Sequence, residues 1–292
     1  MISTIIVGVP PTPYRGRIAP SPTGLLHIGH ACTFWTAYQR ALKRNGALVF
    51  RDEDLDPQRS KPQFAEAMLE DLRWLGIEWQ EGPDVGGPFM PYRQSQRREF
   101  YLEAWGKLRD CGAIYPCTCS RKDLALAATA PNDGDDEPMY PGRCRNQITA
   151  APSYGAPVGV NWRFRVPNGE TIGFLDQHQG AQSFVAGKDF GDFVIWRRDD
   201  VPAYQLAVVV DDSAMQVTEV VRGADLLKST ARQLLLIRAL GLAVPSYFHC
   251  DLIRDEAGTR LAKRHDALSL RALRGLGRPP DQVRALCGSY LP

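Results

Sequence analysis

The chain has no apolar run of the roughly 18 residues that a membrane-spanning helix needs, so no membrane partner is expected. Its first residues, 1–13, hold an apolar patch at Ile5-Ile6-Val7 but neither a basic start nor a cleavage-site pattern. A cytoplasmic protein without a signal peptide is therefore expected. A strong charge of either sign is also missing, since 35 Lys and Arg against 33 Asp and Glu leave a net +2. That balance neither proves nor excludes a nucleic-acid partner, because clustering of arginines matters more than their sum. There is no internal repeat, which excludes a repeat array. The seven cysteines are odd in number, and Cys32, Cys111, Cys250 and Cys287 are scattered, so no disulfide framework is expected. At 292 residues the chain can form one large domain or two smaller ones.

What is present concentrates in Arg17-Ile18-Ala19-Pro20-Ser21-Pro22-Thr23-Gly24-Leu25-Leu26-His27-Ile28-Gly29-His30. This polar, glycine-punctuated turn precedes a stretch, residues 31–45, whose Phe34, Trp35, Tyr38, Ala41 and Leu42 fall on one face of a helix. A turn that opens a helix offers free backbone N–H groups to a polyphosphate, and His27 and His30 add donors to the same charge. Gly46 is read as the helix C-cap. Ala47-Leu48-Val49-Phe50 is a short strand ending in Arg51-Asp52-Glu53-Asp54. Strand, helix, strand predicts a right-handed parallel crossover, with ligands at the carboxyl ends of the strands.

Further along, Ser60-x-x-Gln63 with Pro62 reads as a capping box. The helix it opens ends at Gly76, and a second, 95–111, ends at Gly112. A polar insertion at 129–137 reads as a mobile loop. Short strand-like runs over 158–195 suggest a β-rich insert. Residues 203–210 read as a buried strand, 217–222 as another strand, 229–241 as a helix and 268–290 as a helical tail. The fold class is α/β, a parallel domain interrupted by an insert. Cys117-x-Cys119 followed by Tyr140-x-x-x-Cys144 fits a closed tetrahedral zinc site, and equally fits buried free cysteines.

Four of these segments, in order, resemble the class I glutamyl- and glutaminyl-tRNA synthetases. They are residues 17–30, Phe50-Arg51-Asp52-Glu53-Asp54-Leu55-Asp56, Val220-Val221-Arg222-Gly223-Ala224-Asp225-Leu226-Leu227, and Arg260-Leu261-Ala262-Lys263-Arg264. The resemblance implies a Rossmann-like catalytic domain in two halves, 14–112 and 201–248, with a zinc-containing, acceptor-binding insert at 113–200. It places the second ATP motif and a short tail in 249–292, with no anticodon-binding domain. Residues 203–212 and 219–227 look specifically like the branch of the family that is built of the catalytic half alone. Members of that branch activate L-glutamate with ATP and place it on the queuosine base in the anticodon of tRNA(Asp). The resemblance thus implies ATP with Mg2+, glutamate and queuosine-containing tRNA(Asp) as partners of a monomer. A minimal glutamyl-tRNA synthetase charging a tRNA 3′ end, or a non-catalytic RNA- or nucleotide-binding relative, are the alternatives.

Activation joins a carboxylate to the α-phosphate and expels pyrophosphate, so the protein must align reactants and stabilise phosphate charge. His27, Gly29, His30 and Lys263 are assigned to ATP, with His27, His30 and Lys263 in the catalytic role. The glutamate carboxylates call for arginine, Arg17 and Arg222, and the ammonium for a carboxylate, Glu53, with Asp52 and Asp54 as rivals. The resemblance adds Ile18, Ala19, Pro20, Ser21 and Tyr204 to the glutamate pocket. It also favours zinc on Cys117, Cys119, Tyr140 and Cys144, with His178 or Asp123 as other fourth ligands. RNA contact is expected from Arg143, Arg145, Arg163, Arg165, Arg197, Arg198 and Arg271. Arg260 and Ala262 depart from the family's lysine and serine; the hydroxyl missing at Ala262 predicts slower activation rather than inactivity.

Overall fold

The computed structural model describes residues 5–6, 13–119, 139–146, 154–253 and 269–287. Asp123, the insertion at 129–137 and the motif at 260–264, with Lys263, lie outside the described residues. In chain order, β1 (Ile5–Ile6) and β2 (Arg15–Ile18) precede α1 (Ile28–Lys43), β3 (Ala47–Phe50), α2 (Pro62–Trp74) and α3 (Arg98–Asp110). Next come β4 (Ile114–Cys117), β5 (Asn161–Phe164), β6 (Thr171–Asp176), β7 (Gly180–Val185) and β8 (Phe193–Trp196). The chain continues with α4 (Tyr204–Ala214), β9 (Glu219–Gly223), α5 (Leu227–Leu240), β10 (Ser246–Cys250), α6 (Leu270–Gly275) and α7 (Pro280–Ala285). Among the described residues no helix is long and apolar enough to cross a membrane.

The expected crossover forms: β2 and β3 pair in parallel, Arg17 opposite Val49, with α1 between them in sequence. α1 buries Ala31, Phe34, Ala37 and Ala41 along one stripe. Its C-terminus differs from expectation. Asn45 takes the left-handed position at φ 47°, and Gly46 N–H donates back to Ala41 O at 3.0 Å. This is a Schellman closure with asparagine as its left-handed residue. Gly46 is required for a different reason: a Cβ there would stand 2.4 Å from Tyr14 Cδ1. The capping box is not formed either. Lys61 is the N-cap of α2 without a side-chain cap, and Ser60 Oγ has no partner. Ser60 N–H already closes the preceding turn on Asp56 O at 2.8 Å, which holds the residue one position too early to cap.

The main sheet runs β1-β6-β10-β9 in parallel, with β7 antiparallel on β6. β2 lies alongside β9: Thr218 N–H donates to Arg15 O at 2.9 Å, and Arg17 Nη1 to Val221 O at 2.8 Å. The chain therefore leaves β2 toward β3 on one side and meets β9 on the other. Such a switch in strand order opens a crevice beyond the strand ends. A separate antiparallel sheet, β4-β5-β8, packs fully buried Trp162 opposite Trp196. The segment expected to be an insert is thus shared between the two sheets, since β6 and β7 belong to the main one.

Residues 203–210 are not a strand: they fall almost entirely in helix α4. Every residue from Leu206 to Asp212 is buried, so the contrast between faces that betrays a helix is absent and the valine run looks like a strand. β10 was not anticipated. Cys32 and Cys287, read as scattered, are joined in a disulfide that ties α1 to the end of α7.

Candidate active site

A cavity of about 380 Å³ sits at the crevice between β2 and β9, within the usual size of small-ligand sites. Arg17 lies in β2, Glu53 follows β3, Arg222 sits in β9 and Tyr204 begins α4, and all four line it. His27, Gly29 and His30 form the opposite wall. The structure thus brings together eight of the expected site residues, counting Ala19. Ile18 is fully buried in the core and Pro20 is buried. Their backbone carbonyls hold the acidic loop, accepting from Arg51 N at 2.9 Å and Glu53 N at 3.0 Å. Ser21 is exposed and does not line the cavity.

No side chain caps the N-terminus of α1, where His27 is the N-cap. The two histidine rings stack with centroids 4.9 Å apart. A Cβ on Gly29 would meet no atom within 4 Å, so the glycine leaves the cavity wall open at the positive end of a sixteen-residue helix. This wall suits an anion such as a phosphate chain.

The other wall gathers buried charges of both signs, Arg17, Arg222 and Glu53. Arg17 and Arg222 are 5% and 4% exposed. Arg222 Nη1 is buried without a hydrogen-bond partner among the described residues, and a buried donor of this kind calls for an acceptor. Arg17 Nε makes no hydrogen bond but stands 3.5 Å from Asp212 Oδ1. Glu53 is fixed by the wholly buried Arg51, whose Nη2 donates to Oε1 at 2.9 Å while Nη1 donates to Asp212 Oδ1 at 2.6 Å. Burial raises the Glu53 pKa, opposed by the charge and hydrogen bond of Arg51. The rivals of Glu53 point elsewhere: Asp54 accepts from Ser95 N and Oγ at 2.8 and 2.6 Å.

Asp52 is 4% exposed, and its Oδ1 has no partner. Burial, then the neighbouring Asp54 charge, push its pKa from 3.8 up to about 7. The folded chain therefore holds a proton that the unfolded chain releases from pH 3.8 upward. This group's contribution to stability falls as pH rises from about 4 to about 7 and stays lost above that. Asp52→Asn is expected to stabilise the protein by on the order of 2 kcal/mol at pH 8 and by little at pH 4. Urea unfolding at both pH values checks this, and an equal gain at both would remove the charge as the cause.

In the cysteine cluster, the Cys117, Cys119 and Cys144 sulfurs lie within 4.8 Å of one another. Tyr140 Oη is 3.4 Å from Cys117 Sγ and 3.6 Å from Cys119 Sγ. Zinc–sulfur bonds of ~2.3 Å in a tetrahedron require sulfurs ~3.8 Å apart, and Cys119 and Cys144 stand at 3.7 Å. Burial opposes ionisation of Cys144, but hydrogen bonds from Tyr140, the Thr118 backbone and the other cysteines outweigh it and hold the thiol down at about 7. Arg163 Nε donates to Cys117 Sγ at 3.4 Å. The residues fit a zinc ion. His178 does not join them; it pairs with Asp251 at 2.9 Å at the rim of the main cavity.

Of the expected RNA-contacting arginines, Arg163 is 2% exposed and committed to Cys117 and Asp192. Arg271 is paired with Glu70 at 2.6 Å. Arg143 and Arg198 are exposed. Sequence reasoning missed Arg51, Asp212, Asp176 and His249, which hold the cavity's charged groups in place.

The fold and the site define a nucleotide-and-amino-acid catalytic domain of the class I type. The model of the family "tRNA synthetases class I (E and Q), catalytic domain" matches residues 14–289. A Glutamyl-Q tRNA(Asp) synthetase of Nitratidesulfovibrio vulgaris is 49% identical over 92% of this chain and 83% of that protein. A glutamate–tRNA ligase of Sulfurihydrogenibium sp. is 42% identical over 90% of this chain and 55% of that protein. The crystal structure of glutamate-tRNA synthetase from Elizabethkingia anophelis superposes with a TM-score of 0.76 at 30% identity, covering 86% of this chain. The chain spans about half that structure's length, 52%. The chain belongs to the class I tRNA synthetase family for glutamate and glutamine, and it is a ligase.

Proposed function

We propose that this protein activates L-glutamate with ATP and Mg2+ and transfers it to the queuosine base of tRNA(Asp). The observation that carries the first half is the pairing of two buried guanidiniums with one buried carboxylate around a single cavity. Arg222 Nη1 presents an N–H group without an acceptor among the described residues, Arg17 stands beside it with Nε 3.5 Å from Asp212 Oδ1, and Glu53 lines the same space. Glutamate has two carboxylates and one ammonium, and its charges match that set. The phosphates lie at the N-terminus of α1, where His27 and His30 donate, and Lys263 supplies a movable charge. Tyr204 covers the amino acid from α4. A glutamate carboxylate oxygen attacks the α-phosphorus, and the bond to pyrophosphate breaks. A hydroxyl of the queuosine base then attacks the acyl carbon, AMP leaves, and an ester forms. The higher identity to the Glutamyl-Q relative than to the glutamate–tRNA ligase, 49% against 42%, supports queuosine as acceptor. The ligase relative supports the second reading, charging of a tRNA 3′ end.

Residues 14–112 and 201–248 act as the two catalytic halves in this reading, with residues 113–200 meeting the acceptor. Cys117, Cys119, Tyr140 and Cys144 would hold a structural zinc ion, which when bound would tie Tyr140 and Cys144 to the end of β4. About one zinc per chain is expected from mass spectrometry of the metal content. Cys144→Ala is expected to lose it, and full retention would discard this ligand set.

Radiolabelled glutamate tests the whole reading. Transfer is compared on queuosine-containing tRNA(Asp), queuosine-free tRNA(Asp) and tRNA(Glu), after glutamate-dependent ATP–pyrophosphate exchange has been measured without tRNA. Alkali-labile label on the queuosine-containing species alone is the expected result. Label on tRNA(Glu) supports the second reading, and the absence of exchange rejects both.

A further inference from the structure

Behind Arg222 lies a buried relay across three neighbouring parallel strands. Asp176 ends β6, His249 lies in β10 and Arg222 in β9, where the last two are direct register partners. Asp176 and His249 are 2% and 0% exposed. Asp176 Oδ1 accepts backbone N–H groups from His178, Gln179 and His249 at 3.0, 2.8 and 3.2 Å. Its Oδ2 lies 2.6 Å from His249 Nδ1. His249 Nε2 lies 3.1 Å from Arg222 Nε.

Guanidinium can only donate, so Nε2 must present its lone pair and the ring proton sits on Nδ1, facing Asp176. Each member of the relay thus has a fixed role. The carboxylate is kept ionised: burial raises its pKa, but the His249 bond and the backbone donors outweigh that and lower it. The imidazole is kept neutral, burial first and the Arg222 charge among the opposing groups holding its pKa down at about 4. Arg222 Nη2 is also tied, donating to Thr230 Oγ1 at 2.7 Å. Nη1 has no hydrogen-bond partner among the described residues.

We propose that Asp176 and His249 are positioning residues for Arg222: Asp176 selects the Nδ1–H tautomer of His249, whose Nε2 then holds the guanidinium with Nη1 presented to the substrate carboxylate. This role rests on the reading of Arg222 as the glutamate anchor. Orientation is the point of the arrangement. Arginine binds a carboxylate well only when its planar donors meet the oxygens, and a fixed fork loses less freedom on binding.

The test is a tautomer inversion. In Asp176→Asn the amide oxygen takes the site of the three backbone donors and the amide N–H group faces His249 Nδ1. The ring then carries its proton on Nε2, donor against donor with Arg222. The glutamate KM in ATP–pyrophosphate exchange is expected to rise about tenfold, the loss of one bond to a charged group, with the ATP KM within about twofold. His249→Gln puts an amide oxygen near the Nε2 site and is expected to stay within about threefold of the wild type, whereas His249→Phe matches Asp176→Asn. Nitrogen-15 imidazole spectra of the wild type are expected to show the Nδ1–H form, a readout that needs no variant to fold. An Nε2–H wild type, or exchange with an unchanged glutamate KM in Asp176→Asn, would overturn the positioning role alone. No glutamate-dependent exchange in the wild type would overturn the functional reading and this role with it.

Discussion

Arg222→Lys is expected to raise the glutamate KM on the order of 100-fold while leaving the ATP KM within about threefold. The argument begins with burial. Arg222 is 4% exposed and makes its two fixed bonds through Nε and Nη2. Lysine has one compact ammonium with no fork. It cannot satisfy both His249 Nε2 and Thr230 Oγ1 and still reach a substrate carboxylate. Losing a desolvated charge contact costs 2–5 kcal/mol, and about 3 kcal/mol corresponds to the stated factor. In the proposed function ATP lies against the α1 wall, so its binding is expected to be spared. Exchange kinetics with each substrate varied separately check the split. Equal losses for glutamate and ATP would mean that the substitution damages the cavity as a whole, and that Arg222 is not the amino-acid anchor.

The parts of this site that were readable in the sequence are those made by neighbours in the chain. The turn from Arg17 to His30 and the helix after it announce themselves through glycine spacing and one apolar face. The acidic end of β3 named Glu53 together with two rivals, and only packing separates them: Asp54 is engaged by Ser95, and of the three only Glu53 lines the cavity. What stayed hidden is made by strand adjacency. Asp176 and His249 are 73 residues apart and meet because β6 and β10 pair. Cys32 and Cys287, 255 residues apart, meet instead where α1 packs near the end of α7. α4 was hidden for another reason, since a segment buried on all sides shows no periodic contrast. Physical reading of a sequence thus finds a local motif, and misses the residues that hold it from behind.

Those hidden supports are linked. Arg51 joins Glu53 to Asp212, and Asp212 Oδ1 stands 3.5 Å from Arg17 Nε. The carboxylate expected to meet the substrate ammonium and one arginine expected to meet its carboxylates therefore share one buried charge network. Their separation is set before any ligand arrives, which is what preorganisation requires.

The largest loss of stability is expected at the next residue in that network. Asp211→Asn should destabilise the fold by about 3–5 kcal/mol. Asp211 is fully buried. Its Oδ1 accepts from Arg97 Nε at 2.6 Å, and its Oδ2 from Gln94 Nε2 at 2.7 Å and Tyr101 Oη at 2.9 Å. Arg97 is 1% exposed. Asparagine keeps the shape but removes the charge, so a guanidinium is left in the core without its counter-ion. The amide oxygen must face Arg97, which can only donate, so the amide N–H groups face Gln94 and Tyr101, and these have to reorganise to accept, Gln94 by flipping its amide and Tyr101 by turning its hydroxyl. The exposed pair Lys107–Glu103 on α3 is the control, since Lys107→Ala should cost no more than about 0.5 kcal/mol. Urea unfolding at neutral pH reads both. A cost below about 1 kcal/mol for Asp211→Asn would show that backbone carbonyls and relaxation carry the Arg97 charge, because Arg97 Nη1 already donates to Pro91 O at 2.8 Å. A cost in the expected range would mean that α3, α4 and the acidic loop after β3 are locked together by this carboxylate, and that the cavity's geometry inherits that rigidity.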